Sequence, residues 1–299
     1  MTAAAESLDF AEYTSALRGQ IDAALERYTE YGPGCPSYLA EAIRHSLLAP
    51  GKRLRPMLVL MACQACGYDP YRGLAAACSV EMIHTYSLIH DDLPAMDDDD
   101  MRRGRPSCHA KFGEATAILA GDALLAQAFE VLATGIEPPE VAARCIAELA
   151  KAAGACHLVG GQEDDLKAEF ADLGVEQLEA IHRRKTGAMI RVSLRLGGIV
   201  GQATDKQLAA LDAYGERLGL AFQIVDDLLD LQGTPAALGK RTKKDHEHGK
   251  LTFPALLGAP ESRRRANDLV AGAIDAARIF GSKSEPLAAL AKYVIERDH

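Results

Sequence analysis

Apolar residues recur at intervals of three and four along almost the whole chain, and sustained alternation of apolar and polar residues is missing. The first pattern is typical of helices with one buried face, and the second would indicate strands. The sequence therefore predicts about ten helices. Clusters of Gly, Pro and polar residues are expected to separate them at 31–36, 67–73, 134–139, 171–175, 197–205, 233–249, 258–262 and 281–286. With no repeat or long linker in this pattern, residues 1–299 are expected to form a single all-α domain, a large helical bundle.

The helix predicted over residues 218–232 is apolar on nearly every side, as a helix inside a protein is. It nevertheless contains four polar residues at i, i+3, i+4 and i+7, which places them on one face. They are Gln223, Asp226, Asp227 and Asp230. A buried carboxylate is costly unless a cation accompanies it. This acidic stripe predicts bound cations or a water-filled cavity.

A second acidic cluster follows another apolar stretch that is predicted to be helical, residues 74–90. His84 precedes Asp91 by seven residues, so both are expected on one face of that helix. Pro94 is expected to disturb the helix end and to let Asp97 turn back towards Asp91. Taken alone, His84 is more typical of a hydrogen-bonded core residue, and the run 97–100 of a solvated surface. The combination with the first stripe favours a site.

Three arginines, Arg102, Arg103 and Arg105, directly follow the six acids of this cluster. Carboxylates bind hard cations, and arginine matches the oxygens of a phosphate. The segment therefore predicts a metal and an anion held together, with magnesium favoured over calcium. The spacing does not fit an EF-hand, and no arrangement typical of a Ser/His/Asp or Cys/His nucleophile is found.

Further basic residues lie in three short segments. Lys52 and Arg55 occur where an apolar helix is predicted to begin, and backbone amides at such an end also favour an anion. Lys185 precedes a Thr-Gly pair. Lys240 and Lys250 lie in a basic segment that has a glycine near each end, which favours a loop that closes over a ligand.

The bulk composition excludes several classes of protein. A formal net charge of −9 gives no support for nucleic-acid binding. No apolar run is expected to approach the length that crosses a bilayer, and no signal peptide is predicted. The seven cysteines fit reduced thiols in the cytoplasm, and Cys63 and Cys66 fit core residues better than a zinc site.

Together these motifs resemble the trans-isoprenyl diphosphate synthase family, and within it the bacterial farnesyl diphosphate producers. The first acidic motif is H-D-D-L-P-A-M-D-D-D-D-M-R-R-G at 90–104, and the second is Q-I-V-D-D-L-L-D at 223–230. Four accessory motifs occur in the family's order, namely G-K-R-L-R-P at 51–56, G-G-Q at 160–162, K-T-G at 185–187 and G-K-R to G-K between 239 and 250. The resemblance covers residues 36–257.

The resemblance implies an isoprenoid synthase fold around a deep central cavity, usually as a homodimer. It implies that Asp91, Asp97 and Asp226 ligate magnesium, with three ions and with manganese as an alternative. Asp92, Asp227 and Asp230 would be neighbours or water-mediated partners. The allylic diphosphate would be bound by Arg102, Lys185 and Lys240, and the isopentenyl diphosphate by Lys52, Arg55, His84 and Arg103. Lys250 would join the substrate-binding set, and Thr186 and Gln223 would lie beside the reacting carbons.

The implied reaction ionises dimethylallyl or geranyl diphosphate, condenses the cation with isopentenyl diphosphate and eliminates a proton. Tyr86, five residues before Asp91, and the Pro94-Ala95 pair resemble producers of the C15 product, although Tyr86 also fits a plain core residue. A geranyl or geranylgeranyl product, a class I terpene cyclase and a non-catalytic synthase subunit remain alternatives. The chain ends in Arg297-Asp298-His299 instead of a basic tail, which puts a role of the tail in closing the site in doubt.

Overall fold

The computed structural model describes residues 8–168, 173–232 and 251–297. Over these residues the chain forms fourteen α-helices, which confirms the all-α prediction. They are α1 (Phe10–Tyr28), α2 (Ser37–Leu47), α3 (Leu54–Ala65), α4 (Leu74–Asp91), α5 (Cys108–Phe112), α6 (Glu114–Gly135), α7 (Pro139–Ala153), α8 (Leu158–Ala168), α9 (Val175–His182), α10 (Ala188–Val200), α11 (Asp205–Gln232), α12 (Phe253–Leu257), α13 (Ala259–Ala277) and α14 (Glu285–Glu296).

Shorter elements connect some of these helices. Pro70–Gly73 and Arg278–Ser284 form 3₁₀-helices, and Arg183–Gly187 forms a π-helix between α9 and α10. An antiparallel hairpin of β1 (Met101–Arg102) and β2 (Arg105–Pro106) follows the first acidic motif. Strands of two residues are too short to produce an alternating pattern, so periodicity could not predict them.

The centre of the bundle consists of α3, α4 and α10, because these helices are apolar on nearly every side and most of their residues are buried. α10 packs against α3, α7 and α11, and α4 packs along α6. A second, smaller group of buried side chains lies behind the C-terminal half of α11. It includes Leu178 of α9, Ile224 and Leu228 of α11, Phe253 of α12 and Ala266 of α13. This group supports the half of α11 that carries the second acidic motif.

The end of α4 has the predicted turn. The helix ends at Asp91, and the chain then folds back so that the Asp97 amide donates to the Asp91 carbonyl oxygen at 2.8 Å. The Asp99 amide donates to the Asp92 carbonyl oxygen at 3.1 Å. Asp98 takes a left-handed conformation with φ of 50°, which closes the turn. The backbone therefore brings Asp97 next to Asp91 although six residues separate them.

Several predicted boundaries differ from the structure, and the break predicted over 233–249 lies outside the described residues. The break predicted over 258–262 is reduced to Gly258, because α13 begins at Ala259. The helix predicted to begin near residue 218 is the second half of α11, which begins at Asp205. The break predicted over 197–205 covers only residues 201–204, because α10 continues through Gly197 and Gly198 to Val200. Glycine is a poor helix former in isolation, but here it lets α10 pack closely against its neighbours.

The expectation about apolar runs is wrong for α6. By length and composition alone, this helix could cross a membrane, because alanine, leucine and glycine dominate it. One side of α6 is in the bundle, where Ala117, Leu124 and Ala128 are fully buried. Ile118 and Leu119 on another side are exposed, by 44% and 57%. The helix therefore has an apolar surface that no other described part of the chain covers.

Candidate functional site

The π-helix between α9 and α10 brings the two acidic motifs to one site. Lys185 Nζ lies 2.8 Å from Asp165 Oδ2 and 3.9 Å from Asp91 Oδ2, at the end of α4. The next residue, Thr186, donates its hydroxyl to Gln223 Oε1 on α11 at 3.4 Å. Lys185 thus contacts the first acidic motif, and Thr186, the next residue, contacts the second. π-Helical turns are frequent at functional sites because they displace side chains from the regular helical register.

The Gly-Gly-Gln segment at the start of α8 allows this arrangement. A Cβ atom on Gly161 would lie 2.5 Å from the backbone nitrogen of Lys185, so only glycine permits α8 to approach the π-helix so closely. Asp165, on the following turn of α8, is then within reach of the Lys185 ammonium group. The sequence interpretation missed Asp165. Its position three residues after Gln162, and so on the same face of the helix, was the available signal.

The first acidic motif divides its carboxylates between two environments. Asp91 is buried, and its pKa is raised to about 6. Burial is the main cause, the Asp97 carboxylate adds to the rise, and Lys185 opposes it. Asp92 instead accepts a hydrogen bond from Arg102 Nε at 2.8 Å. Burial lowers the pKa of Arg102, but its bond to Asp92 and the charges of Asp92, Asp99 and Asp97 together raise it above its usual value. Arg102 is therefore held in place by the acidic motif itself.

The second motif shows the same division. Asp227 is buried and accepts two hydrogen bonds, from the backbone amide of Phe253 at 2.9 Å and from Gln223 Nε2 at 3.1 Å. It therefore connects α11 to the start of α12. Asp226 is half-buried and Asp230 is exposed. Burial raises the pKa of Asp226, and Arg297 lowers it in opposition.

Arg297 is a second residue that the sequence interpretation missed. Its guanidinium forms an ion pair with Asp226, donates to the Phe222 carbonyl oxygen at 3.3 Å and lies 4.2 Å from the centre of the Phe222 ring. The sequence put a role of the chain end in closing the site in doubt, and Arg297 nevertheless contacts the second acidic motif. Asp298 and His299 lie outside the described residues. A charged residue at a chain end has no pattern that reveals its partner.

A cluster of cations lies beside the second motif. Arg55 Nη1 and His84 Nε2 are 3.3 Å apart. Burial lowers the pKa of His84 well below its usual value, and Arg55 lowers it further, so the imidazole is neutral near pH 7. Burial also lowers the pKa of Lys52, Arg55 and Arg103, and a neighbouring cation adds to each of these shifts. Crowded, partly dehydrated cations of this kind attract an anion.

Of the remaining predicted residues, the structure describes Arg105 and Tyr86. Arg105 is not part of this cluster, because its guanidinium donates to His45 Nδ1 at 3.1 Å. Lys240 and Lys250 lie outside the described residues. Tyr86 is buried one and a half turns before Asp91, and its ring meets the His90 ring edge-on at 5.8 Å.

The donor chemistry fits magnesium. Asp91, Asp97 and Asp226 supply only carboxylate oxygens, the ligands that this ion prefers. Within the described ranges, no three His, Cys, Asp or Glu residues are grouped closely enough to hold an ion by themselves. A magnesium ion shared with a diphosphate does not need such a group, because phosphate oxygens and water complete its shell. The raised pKa values of Asp91 and Asp226 indicate that a nearby cation would stabilise both carboxylates.

Comparison with known proteins extends the similarity over nearly the whole chain. Residues 36–279 match the polyprenyl synthetase family. The chain is 46% identical to the farnesyl diphosphate synthase of Escherichia coli (strain K12), over 97% of this chain and 100% of that protein. It is 45% identical to geranylgeranyl pyrophosphate synthase 12, chloroplastic, of Arabidopsis thaliana, over 96% and 81% of the two chains. The apo structure of an FPP/GFPP synthase from Zymomonas mobilis matches with a TM-score of 0.86 and 36% identity, over 96% and 99%.

Replacing Asp227 tests the link between α11 and α12. We expect Asp227→Ala to lower the free energy of unfolding by about 1–3 kcal/mol, because the buried Phe253 amide loses its acceptor. Asp227→Asn is the matched control, since its side-chain oxygen can still accept this bond, and it should lose less. Urea unfolding measures both values. Equal unfolding free energies for the wild type and Asp227→Ala would contradict the proposed link.

Proposed function

The chain belongs to the polyprenyl synthetase family, and we propose that it is a magnesium-dependent prenyltransferase that makes mainly farnesyl diphosphate. Its substrates would be isopentenyl diphosphate and an allylic diphosphate, dimethylallyl or geranyl. The single observation that carries the proposal is the contact of Lys185 and Thr186 with both acidic motifs, beside a separate cluster of cations. The acidic motifs and the separate cationic cluster would thus bind two anions in different roles.

The allylic diphosphate would be bound between the acidic motifs. Asp91, Asp97 and Asp226 would hold magnesium, which when bound neutralises the charge that develops on the departing diphosphate. Arg102 and Lys185 would bind the same group directly, and Lys240 is proposed for it from the sequence. Asp92 and Asp165 hold Arg102 and Lys185 in position beforehand, so little reorganisation is needed as the bond breaks.

The isopentenyl diphosphate would be bound by the second cluster. Lys52, Arg55 and Arg103 supply charge, and neutral His84 supplies a hydrogen bond without a further charge. Lys250 is proposed as an additional contact from the sequence. Between the two diphosphates, the oxygens of Thr186 and Gln223 would stabilise the allylic cation. The departing diphosphate can accept the final proton, so no side-chain base is required.

The alternatives are less well supported. A class I terpene cyclase has no need of a second cationic cluster, and this chain has one. A non-catalytic subunit would be expected to lose aspartates from one motif, and both motifs are intact. A geranylgeranyl product is the main alternative, because relatives with that name are also about 45% identical. Tyr86, buried below the first motif, favours the C15 product.

We also propose that residues 1–299 act as one domain in a cytoplasmic homodimer. The exposed apolar side chains of α6, Ile118 and Leu119, would be covered by a second copy of the chain. Val159 at the start of α8, exposed by 50%, adds apolar surface. This packing would account for a helix that is apolar beyond the needs of its own bundle.

Product formation tests the function directly. With isopentenyl and dimethylallyl diphosphates and magnesium, the purified protein should make farnesyl diphosphate, identified by mass spectrometry. Asp91→Ala and Asp226→Ala should each lower turnover at least about a hundredfold, the effect of losing one preorganised electrostatic contact. Asp268→Ala, on the exposed side of α13, is the control and should retain activity. A wild type without product would reject the function, and active Asp91→Ala and Asp226→Ala variants would reject their metal role.

Replacing Tyr86 tests the control of product length. Tyr86→Ala removes a buried ring below the first motif, so the variant should make products longer than C15. Tyr86→Phe retains the ring and should leave the product unchanged. Chromatography of the dephosphorylated products measures the distribution. The same distribution for the Ala variant and the wild type would show that another residue sets the length.

A charge on α6 tests the dimer. Leu119→Glu should convert the dimer to monomers, because a carboxylate would be buried in an apolar contact. Ile279→Glu is the matched control, since Ile279 is 51% exposed on the Arg278–Ser284 turn, away from α6. Size-exclusion chromatography with light scattering gives the mass of each. A monomeric wild type, or a dimeric Leu119→Glu, would contradict this interface.

A further inference from the structure

Arg53 differs from the other basic residues of its segment because its side chain is almost fully buried, with 2% exposure. Its guanidinium donates to Glu81 Oε1 at 2.7 Å, to Asp22 Oδ1 at 2.9 Å and to the Ala49 carbonyl oxygen at 3.0 Å. The Glu81 side chain is also only 2% exposed. Breaking a buried ion pair of this kind is strongly destabilising, because it leaves an uncompensated charge.

The backbone of Arg53 is strained. It caps the start of α3 in the left-handed conformation, with φ of 49° and ψ of 35°. For a residue other than glycine this conformation is sterically unfavourable, because Cβ approaches the following carbonyl oxygen. The three side-chain bonds of Arg53 offset that cost. The turn that carries Lys52 on one side and Arg55 on the other therefore depends on the contacts of Arg53.

Glu81 connects this turn to the helix that carries His84. It lies three residues before His84 on α4, so the two side chains share a face of the helix. Arg55 and His84 are also in contact, at 3.3 Å. The start of α3 and the middle of α4 are thus joined at two points. One is the buried Arg53–Glu81 pair, and the other is part of the cationic cluster.

Glu81 also acts on the charges of the cluster. Burial lowers the pKa of Arg55 and of Arg103, and the Glu81 carboxylate opposes that effect for both. It therefore stabilises cations that it does not directly bind. Removing the Glu81 charge would leave Arg55 and Arg103 close to each other without the negative charge that offsets their repulsion.

We propose that Arg53 and Glu81 are positioning residues for the isopentenyl diphosphate site, holding Lys52, Arg55 and His84 so that their donors converge on one diphosphate. This inference rests on the proposed function. Both side chains are only 2% exposed, so they would act on the substrate through the cluster and not by direct contact. A shift of about 1 Å in such a cluster can lower reactivity about a hundredfold.

Steady-state kinetics with each substrate varied in turn distinguishes positioning from a purely structural role. Arg53→Met and Glu81→Gln should raise KM for isopentenyl diphosphate at least about tenfold, and leave KM for dimethylallyl diphosphate within about twofold of the wild type. Arg53→Lys retains the charge and should give a smaller rise. Arg195→Met is the matched control, because Arg195 pairs with Glu148 of α7 and Asp212 of α11, neither of which belongs to the cluster. It should change neither KM.

Equal rises in both KM values, or a lower unfolding temperature with unchanged KM for isopentenyl diphosphate, would overturn the proposal. If Arg53→Met does not fold, Glu81→Gln and Arg53→Lys give the same comparison. Calorimetric titration with inorganic pyrophosphate, without metal, separates this inference from the proposed function. A wild type that forms no product but binds pyrophosphate at least about tenfold more tightly than Glu81→Gln would still support positioning. Equal binding by the two proteins would overturn it.

Discussion

Carboxylates held inside an apolar helical bundle are the constraint on which this structure depends. α4 and α11 are apolar because they lie within the bundle, yet each presents an aspartate to the site. Burial raises the pKa of Asp91 and of Asp226, so the ionised form of each is unfavourable unless a cation lies close to it. Lys185 and Arg297 lie beside them. The fold thus maintains charges that magnesium and a diphosphate together would balance.

Each pair of adjacent aspartates performs two tasks, and helix geometry explains why. Neighbouring residues on a helix point about 100° apart, so the two carboxylates of a pair meet different partners even on the same side of a helix. Asp91 lies 3.9 Å from Lys185 Nζ, and Asp226 pairs with Arg297. Asp92 holds Arg102, and Asp227 holds the amide of Phe253. The second aspartate of each pair therefore maintains the geometry in which the first can act.

Periodicity predicted the parts of the site that depend on local sequence. The two acidic rows and His84 were identified because charged residues at helical spacing conflict with an apolar helix, and the turn at Pro94 followed from proline chemistry. Asp165 and Arg297 were missed because their partners, Lys185 and Asp226, are 20 and 71 residues away. No local pattern records such a pairing. The same limit applies to α6, whose apolar composition is evident while the surface that covers it is not.

α4 unites several of these functions because it is a single rigid element. Along this helix, Glu81 and His84 belong to the proposed isopentenyl site, Tyr86 to the wall that would limit product length, and Asp91 to the proposed metal site. The helix therefore fixes the spacing between these three parts. Its outer side contacts α6, where His90 Nε2 donates to the Ile118 carbonyl oxygen at 3.1 Å and its ring meets that of Tyr86. Ile118 also belongs to the surface proposed to meet a second copy. One hydrogen bond and one ring contact, both made by His90, connect that surface to Tyr86. Dimerisation would therefore support the cavity wall at Tyr86 and also cover the apolar side of α6.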